Sequence, residues 1–300
     1  MVARYLKLFG LEETYELLEA NERKIKKSIR VNSFNIKPHK LIKRMEENGF
    51  EFSKIEWDKN GFYIDKEPYS IGATSEYLQG YYYIQKAASM IPVNILDISQ
   101  NDIVLDMCAA PGGKLIQAAD IMNNNGCIIG IEYDKDRIKS LRSNISRCGI
   151  KNAILFRMDA AKFPEFNYKV DKILLDAPCT GEGLIPFDKS RKKSRSFEDI
   201  ITCSSIQIKL LNAAIESVKI GGIIVYSTCS IAPEENELVI NNFLNKGKIE
   251  ILDTGLKWGK SGIINVFGNA ISEDLLKAKR FYPHKNGTQG FFVCKLKVVN

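Results

Sequence analysis

Residues 101–122 constrain the fold more than any other stretch of this 300-residue sequence. An apolar run at residues 103–107 carries Asp106 near its end and leads into a Pro-Gly-Gly turn, after which residues 114–122 follow a helical pattern. Small residues in such a turn let a ligand approach the backbone, and the first turn of a helix offers unpaired N–H groups. The stretch therefore predicts the first strand, loop and helix of a nucleotide-cofactor fold.

Three cofactor classes compete for this loop. A phosphate-binding Walker loop places Ser or Thr after its lysine, whereas Leu115 follows Lys114 here. The dinucleotide pattern Gly-x-Gly-x-x-Gly is absent, which disfavours a nicotinamide or flavin site. S-adenosylmethionine has no phosphate, so its site needs close backbone contact and a carboxylate for the ribose hydroxyls. Glu132 follows the next apolar run, residues 127–131, as that site requires; a purely structural turn is the remaining alternative.

The charge and the cysteine content exclude several kinds of protein. The formal net charge of +7 favours an anionic partner such as nucleic acid. The seven cysteines include no Cys-x-x-Cys pair and there are two histidines, so we expect neither a disulfide framework nor a metal site. No apolar run is long enough to cross a membrane and no signal-peptide pattern follows Met1, so we expect a soluble, cytoplasmic protein without membrane contact.

The sequence divides into two predicted domains. Strands and helices alternate from residue 101, which predicts a doubly wound α/β sheet in a large domain of residues 101–300. Within it, a helix is predicted at residues 205–218, before Gly221-Gly222, and the fifth strand at residues 223–226. Residues 1–75 are predicted to form a small α+β domain, with strands at residues 28–32, 62–64 and 69–71 and a helix that ends at Gly49. The junction, residues 76–100, carries tyrosines that either stack on nucleic-acid bases or pack between the domains: Tyr77, Tyr81, Tyr82 and Tyr83.

Polar residues follow five successive strands of the predicted sheet: Asp106, Glu132, Asp159, Asp176 and Cys229. Ligands of open α/β sheets bind beyond the carboxyl ends of the strands. One polar residue at a strand end usually caps the next helix, but caps alone do not account for five. We therefore expect the functional site along this edge of the sheet.

Two cysteines differ from the rest by their position. Cys179 follows the fourth strand within DAPCTG, and Cys229 follows the fifth within STCS. Neighbouring strand ends should bring them toward one cleft, where a nucleophile is more plausible than a metal ligand. Cysteine is otherwise a small buried hydrophobe, which is our interpretation of three residues in apolar patterns: Cys127, Cys148 and Cys294. Cys203 gives no clear signal.

The ordered motifs resemble the NOP/NSUN family of RNA (cytosine-5) methyltransferases. They are DMCAAPGGK from residue 106, DAPCTG from residue 176, YSTCS from residue 226 with EENE at 234–237, and GFF at 290–292. The similarity spans about residue 30 to the C-terminus, and the basic segment after DAPCTG resembles the archaeal tRNA-modifying branch. It implies a Rossmann-like, S-adenosylmethionine-dependent methyltransferase sheet preceded by a small α+β domain that binds RNA.

The resemblance implies roles for the two cysteines. Cys229 is implied to attack carbon 6 of cytosine as a thiolate, which converts the ring to an enamine whose carbon 5 accepts a methyl group. Cys179 is implied to assist breakdown of the covalent product. We assign Asp176 to the ring nitrogen and exocyclic amine, and Lys114 to positioning groups around the ring. Because an ordinary thiol titrates at about 8.5, Cys229 needs local activation.

The resemblance also implies which residues contact the cofactor. Glu132 fits the ribose independently, because two adjacent hydroxyls suit a bidentate carboxylate. Arg137 is otherwise a solvated arginine on a helix surface. The implied S-adenosylmethionine contacts are Cys108, Ala109, Ala110, Pro111, Gly112, Gly113, Lys114, Glu132, Arg137, Asp159 and Asp176.

A run of cations follows DAPCTG. It is either a solvated loop or, beside the catalytic strand end, a phosphate-binding edge, and we favour the second. Arg30 with Asn32, and Arg280 with His284, are expected to extend this surface. A cytosine in folded RNA must be unstacked to reach a thiolate. The run comprises Lys189, Arg191, Lys192, Lys193 and Arg195.

The sequence therefore predicts an S-adenosylmethionine-dependent tRNA (cytosine-5-)-methyltransferase, with a monomer favoured and the need for a helper protein open. One alternative is the same reaction on ribosomal RNA. Another is a non-catalytic RNA-binding or assembly factor on the same fold, which loss of either motif cysteine would have favoured. A nicotinamide-dependent enzyme is a third, which binding of S-adenosylmethionine and not NAD would exclude.

Overall fold

The computed structural model describes residues 1–299. The helices are α1 (Val2–Glu22), α2 (Pro38–Glu46), α3 (Ser75–Leu78), α4 (Ile91–Ile95), α5 (Gly113–Ile121), α6 (Lys135–Arg147), α7 (Phe197–Ser217), α8 (Glu237–Leu244) and α9 (Pro283–Asn286). The strands are β1 (Ser28–Val31), β2 (Glu51–Lys54), β3 (Gly61–Lys66), β4 (Tyr82–Ile84), β5 (Ile103–Asp106), β6 (Cys127–Ile131), β7 (Ala153–Phe156), β8 (Val170–Asp176), β9 (Val218–Thr228), β10 (Ile249–Leu252), β11 (Lys260–Ser261), β12 (Asn265–Val266), β13 (Asn269–Ala270), β14 (Lys279–Phe281) and β15 (Phe291–Val298).

The chain forms two compact units. One, residues 26–174, is called here the parallel unit because the strands of its larger sheet are parallel. The other, residues 1–25 with 175–300, is called the antiparallel unit because its strand pairs are antiparallel. The α/β class is thereby confirmed. The division into residues 1–75, 76–100 and 101–300 stays a prediction.

In the parallel unit, β5 pairs with both β6 and β8, and β6 pairs with β7. Their short apolar runs are largely buried, as expected for strands covered on both faces. Each run ends where its polar residue was predicted: β5 ends at Asp106, and Glu132 directly follows β6. The register, with Val104 opposite both Ile128 and Lys172, aligns the carboxyl ends of β5, β6 and β8.

The same unit contains a four-stranded antiparallel sheet in the order β2-β3-β1-β4, with a core that includes Leu41 and Met45 of α2. This confirms the small α+β fold. The strand predicted at residues 69–71 is wrong, because Ile71 begins a 3-10 turn. Its N–H donates to the Glu67 carboxylate at 2.9 Å instead of to a neighbouring strand.

Tyr82 lies in the core of the small sheet rather than on a surface that could stack on bases. Its side chain is fully buried and its hydroxyl donates to the carbonyl of Ile71 at 2.7 Å. The Arg147 guanidinium lies 3.9 Å from the ring centre of Tyr77. Packing, not base stacking, accounts for Tyr82.

The antiparallel unit is built around β15, which pairs with β9, β10 and β14. Two predicted boundaries are corrected there. Strand β9 begins at Val218, so Gly221 and Gly222 lie within it rather than before it. Helix α7 begins at Phe197 rather than Ser205, because Ser196 and Asp199 form a reciprocal capping box eight residues earlier than the apolar pattern suggested.

Candidate active site

The cofactor loop, residues 106–114, depends on small residues. Gly112 has φ +116°, a backbone conformation that side chains disfavour. A Cβ on Gly113 would lie 3.0 Å from the ring of Tyr83. Helix α5 begins at Gly113, so its first N–H groups have no helical acceptor. The loop therefore offers backbone donors and close approach, as S-adenosylmethionine binding requires.

Glu132 has the carboxylate that this cofactor needs. Its side chain is 5% exposed, and Oε1 accepts a hydrogen bond from the N–H of Asp134 at 2.9 Å. Oε2 is buried and accepts no hydrogen bond, although Arg137 Nη1 lies 3.5 Å away. A buried oxygen that accepts no hydrogen bond destabilises the folded protein, and a ribose hydroxyl would donate the missing hydrogen bond. The residues present therefore fit S-adenosylmethionine.

The other predicted cofactor residues occupy different environments. Arg137 is half exposed, and Nη2 donates to the carbonyl of Ala110 at 2.7 Å, so it braces the cofactor loop. Asp106 is buried and accepts from the N–H of Cys108. Asp159 accepts from the N–H of Ala161 as a helix cap. The cofactor contacts of the predicted set stay predictions.

The two cysteine loops, residues 176–183 after β8 and 229–237 after β9, meet in the antiparallel unit. The sulfur atoms of Cys179 and Cys229 lie 3.0 Å apart, and both cysteines are reduced thiols that are partly exposed. This confirms that the strand ends bring them together. The separation is far longer than the ~2.05 Å of a disulfide bond and is that of a close thiol contact.

The environment of Cys179 favours its protonated form. The pKa of this thiol is raised well above its ordinary value, first by the hydrogen bond with Cys229 and then by burial. The negative charges of Cys229, Glu235 and Asp176 raise it further. A thiol that keeps its proton can donate an S–H hydrogen bond to a neighbouring thiolate.

Asp176 is held at the end of β8 by β9. One carboxylate oxygen accepts from the hydroxyl of Ser227 at 2.7 Å, and the N–H of Ala177 donates to the Ser227 carbonyl at 2.9 Å. The cysteine loops also touch through their backbones, since the N–H of Gly183 donates to the Cys229 carbonyl at 3.0 Å. A Cβ on Gly183 would lie 2.7 Å from that carbonyl oxygen, so only glycine fits.

Two buried glutamates of these loops were not among the predicted site residues. Glu235 is fully buried and binds both cysteine loops through Thr180 and Ser230. Burial raises the pKa of Glu182 to about 7, although the nearby Arg4 guanidinium opposes this, and its Oε2 accepts no hydrogen bond. For Glu235, the sequence signal that could have predicted burial is the acidic run at 234–237. This run lies between apolar segments, so water cannot easily reach all of its side chains.

Two residues expected on the RNA surface are instead buried in the parallel unit. Arg30 is 4% exposed and forms ion pairs with Asp120 at 2.8 Å and Asp58 at 3.4 Å. Asn32 donates to the carbonyls of Gly80 and Cys148. Their assignment to the substrate surface is wrong, because both side chains connect segments inside the unit.

The pair from the end of the chain is also buried. Arg280 is 1% exposed and binds the Glu237 carboxylate through two bonds of 2.6 and 2.8 Å. The side chain of His284 is 3% exposed, and Nε2 lies 3.2 Å from Glu13 Oε1. We expected both side chains on the RNA surface, but neither is exposed enough to bind an RNA phosphate.

The basic segment is partly engaged with the C-terminal end of α1. Lys192 binds the Glu22 carboxylate and Lys189 binds the carbonyl of Asn21. Arg191 donates to the Thr180 carbonyl at 2.9 Å. Lys193 and Arg195 are exposed. The segment therefore retains cations at its surface while Arg191 contacts the first cysteine loop.

The remaining cysteines mostly match expectation. Cys148 and Cys294 are buried, whereas Cys127 and Cys203 are partly exposed. Among residues 1–299 no group of histidine, cysteine and acidic side chains is arranged to hold a metal ion. Within the same residues, every helix is too short or too polar to span a bilayer.

Comparison with known proteins identifies the class. The structure of NSun6 from Pyrococcus horikoshii with SFG, an analogue of S-adenosylmethionine, superposes with a TM-score of 0.89 at 28% identity, covering 100% of this chain and 97% of that chain. The fold is therefore that of S-adenosylmethionine-dependent methyltransferases. The family model described as 16S rRNA methyltransferase RsmB/F matches residues 93–297, and that of the RsmF N-terminal domain matches residues 1–87. The chain belongs to the RsmB/F family.

Two relatives differ in their length and their printed substrates. The 28S rRNA (cytosine-C(5))-methyltransferase of Mus musculus is 37% identical over 99% of this chain but over 38% of its own length. The tRNA (cytosine(49)-C(5))-methyltransferase of Pyrococcus abyssi is 36% identical over 99% of this chain and 95% of its own length. The chain spans half or less of the eukaryotic relatives it matches.

Proposed function

We propose that this protein transfers a methyl group to carbon 5 of cytosine in RNA, and that its substrate is tRNA. The observation that carries the proposal is the pair of thiols 3.0 Å apart at the ends of β8 and β9. A single nucleophilic cysteine would suffice to form an adduct, but the adduct must also be resolved. Two cysteines in contact supply one group for each task.

Cys229 acts as the nucleophile. Its thiolate forms a bond to carbon 6, and the ring electrons move to carbon 5, which becomes the site of methylation. Cys179 keeps its proton because its pKa is raised by the hydrogen bond with Cys229, by burial and by negative neighbours. An S–H donor beside Cys229 stabilises the thiolate in the free enzyme, which supplies the local activation that a nucleophilic thiol needs.

Product release breaks the bond that formed in the first step. In the adduct the sulfur of Cys229 carries no negative charge, so Cys179 loses its proton to solvent and its thiolate then accepts the proton from carbon 5. The electron pair left on carbon 5 re-forms the ring double bond, the Cys229–carbon 6 bond breaks, and 5-methylcytosine departs while Cys229 recovers its thiolate. Cys179 assists this step, and Asp176, oriented by Ser227, contacts the ring nitrogen and exocyclic amine. S-adenosylmethionine, when bound by the cofactor loop with Glu132 on its ribose, supplies the methyl group.

The choice of tRNA rests on the archaeal relative and on charge. The archaeal tRNA enzyme is matched over 95% of its own length, so nearly all of that enzyme has a counterpart here, whereas the mouse rRNA enzyme is matched over 38% of its own length. The exposed cations Lys193 and Arg195 belong to a segment that suits RNA phosphates. Ribosomal RNA is the second candidate, favoured by the printed substrate of the mouse relative.

The test incubates the protein with S-adenosylmethionine and either unmodified tRNA or rRNA transcripts, and maps 5-methylcytosine by bisulfite sequencing. We expect methylation of tRNA, none with Cys229→Ala, and a covalent protein–RNA adduct on a denaturing gel with Cys179→Ala. Methylation by Cys229→Ala would remove its assigned role. RNA binding without methylation of either RNA would favour an assembly factor, and methylation of rRNA alone would replace tRNA as substrate.

A further inference from the structure

The buried carboxylate of Glu235 joins the two cysteine loops. It accepts hydrogen bonds from the N–H and the hydroxyl of Thr180, at 2.8 and 2.5 Å, and from the hydroxyl of Ser230 at 2.5 Å. Gln207 Nε2 lies 3.2 Å from the same carboxylate. Thr180 directly follows Cys179, and Ser230 directly follows Cys229. One side chain therefore fixes the residue after each thiol.

The burial of Glu235 makes this arrangement specific. Its side chain is fully buried, and four donors match the acceptor capacity of a carboxylate. Hydrogen bonds to a charged group are stronger and shorter than those between neutral groups. No protein cation forms an ion pair with Glu235 among the contacts described for residues 1–299. The four hydrogen-bond donors therefore stabilise the negative charge of its carboxylate. Moving either loop would leave part of that charge unsatisfied.

We propose that Glu235 is a positioning residue for methyl transfer, which holds the Cys179 and Cys229 thiols in contact by binding the residue that follows each of them. This rests on the proposed function and deepens it. A misplacement of about 1 Å at a reacting group costs on the order of a hundredfold in rate, so a clamp between the loops acts on turnover rather than on RNA binding.

The same carboxylate also acts on Cys179 through its charge. Glu235 is one of the negative groups that raise the pKa of that thiol. Replacing the carboxylate with an amide removes the charge and presents an NH2 group to donors such as the Thr180 N–H. Both effects weaken the clamp and favour ionisation of Cys179 at a lower pH. A residue that served only folding would leave the titration of Cys179 unchanged.

The experiment compares Glu235→Gln with Glu250→Gln as the control, since Glu250 is an exposed glutamate of β10 in the same unit and lies outside both cysteine loops. With Glu235→Gln we expect kcat for RNA methylation to fall ~10- to 100-fold with KM for RNA within about twofold. The pH midpoint of Cys179 alkylation by iodoacetamide, read by peptide mass spectrometry without RNA, should move to lower pH. Glu250→Gln should change neither.

Unchanged turnover together with an unchanged alkylation midpoint in Glu235→Gln overturns the proposal. If that variant does not fold, Thr180→Val and Thr180→Ser decide, because the first removes one hydroxyl donor to Glu235 and the second retains it. We expect a loss of kcat with Thr180→Val and recovery with Thr180→Ser; wild-type kcat in both overturns the clamp. If the wild-type protein methylates no RNA, the proposed function fails, while the alkylation profile still tests Glu235.

Discussion

The cofactor loop and the cysteine loops are held in shape by different kinds of residue. The cofactor loop depends on the absence of side chains, with Gly112 at positive φ and Gly113 against Tyr83. The cysteine loops depend on buried acidic groups, of which Glu235 and Glu237 are fully buried. Space for a ligand is created by small residues, whereas the protonated form of Cys179 is favoured by its hydrogen bond with Cys229, by burial and by nearby negative charge. Substitutions of charge should therefore affect the second region more than the first.

The largest expected effect is on the buried ion pair at the end of the second cysteine loop. Arg280→Met leaves the Glu237 carboxylate buried without its cation, which should lower the free energy of unfolding by about 3–5 kcal/mol. Chemical denaturation measures this. Arg23→Met, which breaks the exposed pair with Glu19, should cost no more than about 1 kcal/mol. Equal losses of unfolding free energy in both variants would show that burial does not increase the contribution of the Arg280–Glu237 pair to stability.

The next effect concerns Glu182 and pH. Its pKa rises from 4.5 to about 7 on folding, so the folded protein retains a proton that the unfolded chain releases between these values. The resulting stability is fully present below about pH 4.5 and is lost as pH rises through 7, by roughly 3 kcal/mol in total. Glu182→Gln removes this dependence, so the wild-type minus variant difference in unfolding free energy should fall by that amount from pH 4 to pH 8.

The matched control for Glu182→Gln is Glu250→Gln, an exposed glutamate of β10 in the same unit. Its difference from wild type should stay constant across the pH range. A constant difference for Glu182→Gln as well would mean that the carboxyl of Glu182 is not protonated in the folded protein.

A smaller effect is expected at the carboxylate beside the cofactor loop. Glu132→Gln removes the charge that would accept the ribose hydroxyls, so affinity for S-adenosylmethionine should fall about 10- to 100-fold, equivalent to 1.5–3 kcal/mol. Isothermal titration calorimetry measures it. Asp136→Asn, an exposed acidic residue in the first turn of α6, is the control and should bind normally. Normal binding by Glu132→Gln would remove the ribose contact from the site.

The smallest effect tests the glycines themselves. Gly112→Ala should cost about 1–2 kcal/mol because φ +116° disfavours a side chain. Gly255→Ala is matched, since Gly255 also has positive φ with open space around it, and should lose similar stability. Only Gly112→Ala should weaken S-adenosylmethionine binding, by about tenfold. If both variants bind the cofactor normally, cofactor binding does not require the absence of a side chain at residue 112.

Local sequence was sufficient to predict the strands and helices whose ends are set by residues next to them in the chain. The apolar runs before Asp106 and Glu132 are the strands β5 and β6, and Gly112-Gly113 begins α5. The strand expected at residues 69–71 failed because the Glu67 side chain captures the N–H of Ile71. The early start of α7 was missed because its cap, Ser196 with Asp199, precedes the apolar pattern on which the prediction depended.

The sequence alone determined the order of strands and helices, the cofactor loop and the two cysteines at strand ends, because apolar periodicity and turn residues act over a few positions. Only the tertiary structure decided that Arg30 and Arg280 are buried ion-pair partners rather than RNA contacts, and that Glu235 joins both cysteine loops. The partners of these residues lie 90, 43 and 55 positions away along the chain. Burial of a charge is set by such distant contacts, which no local pattern contains.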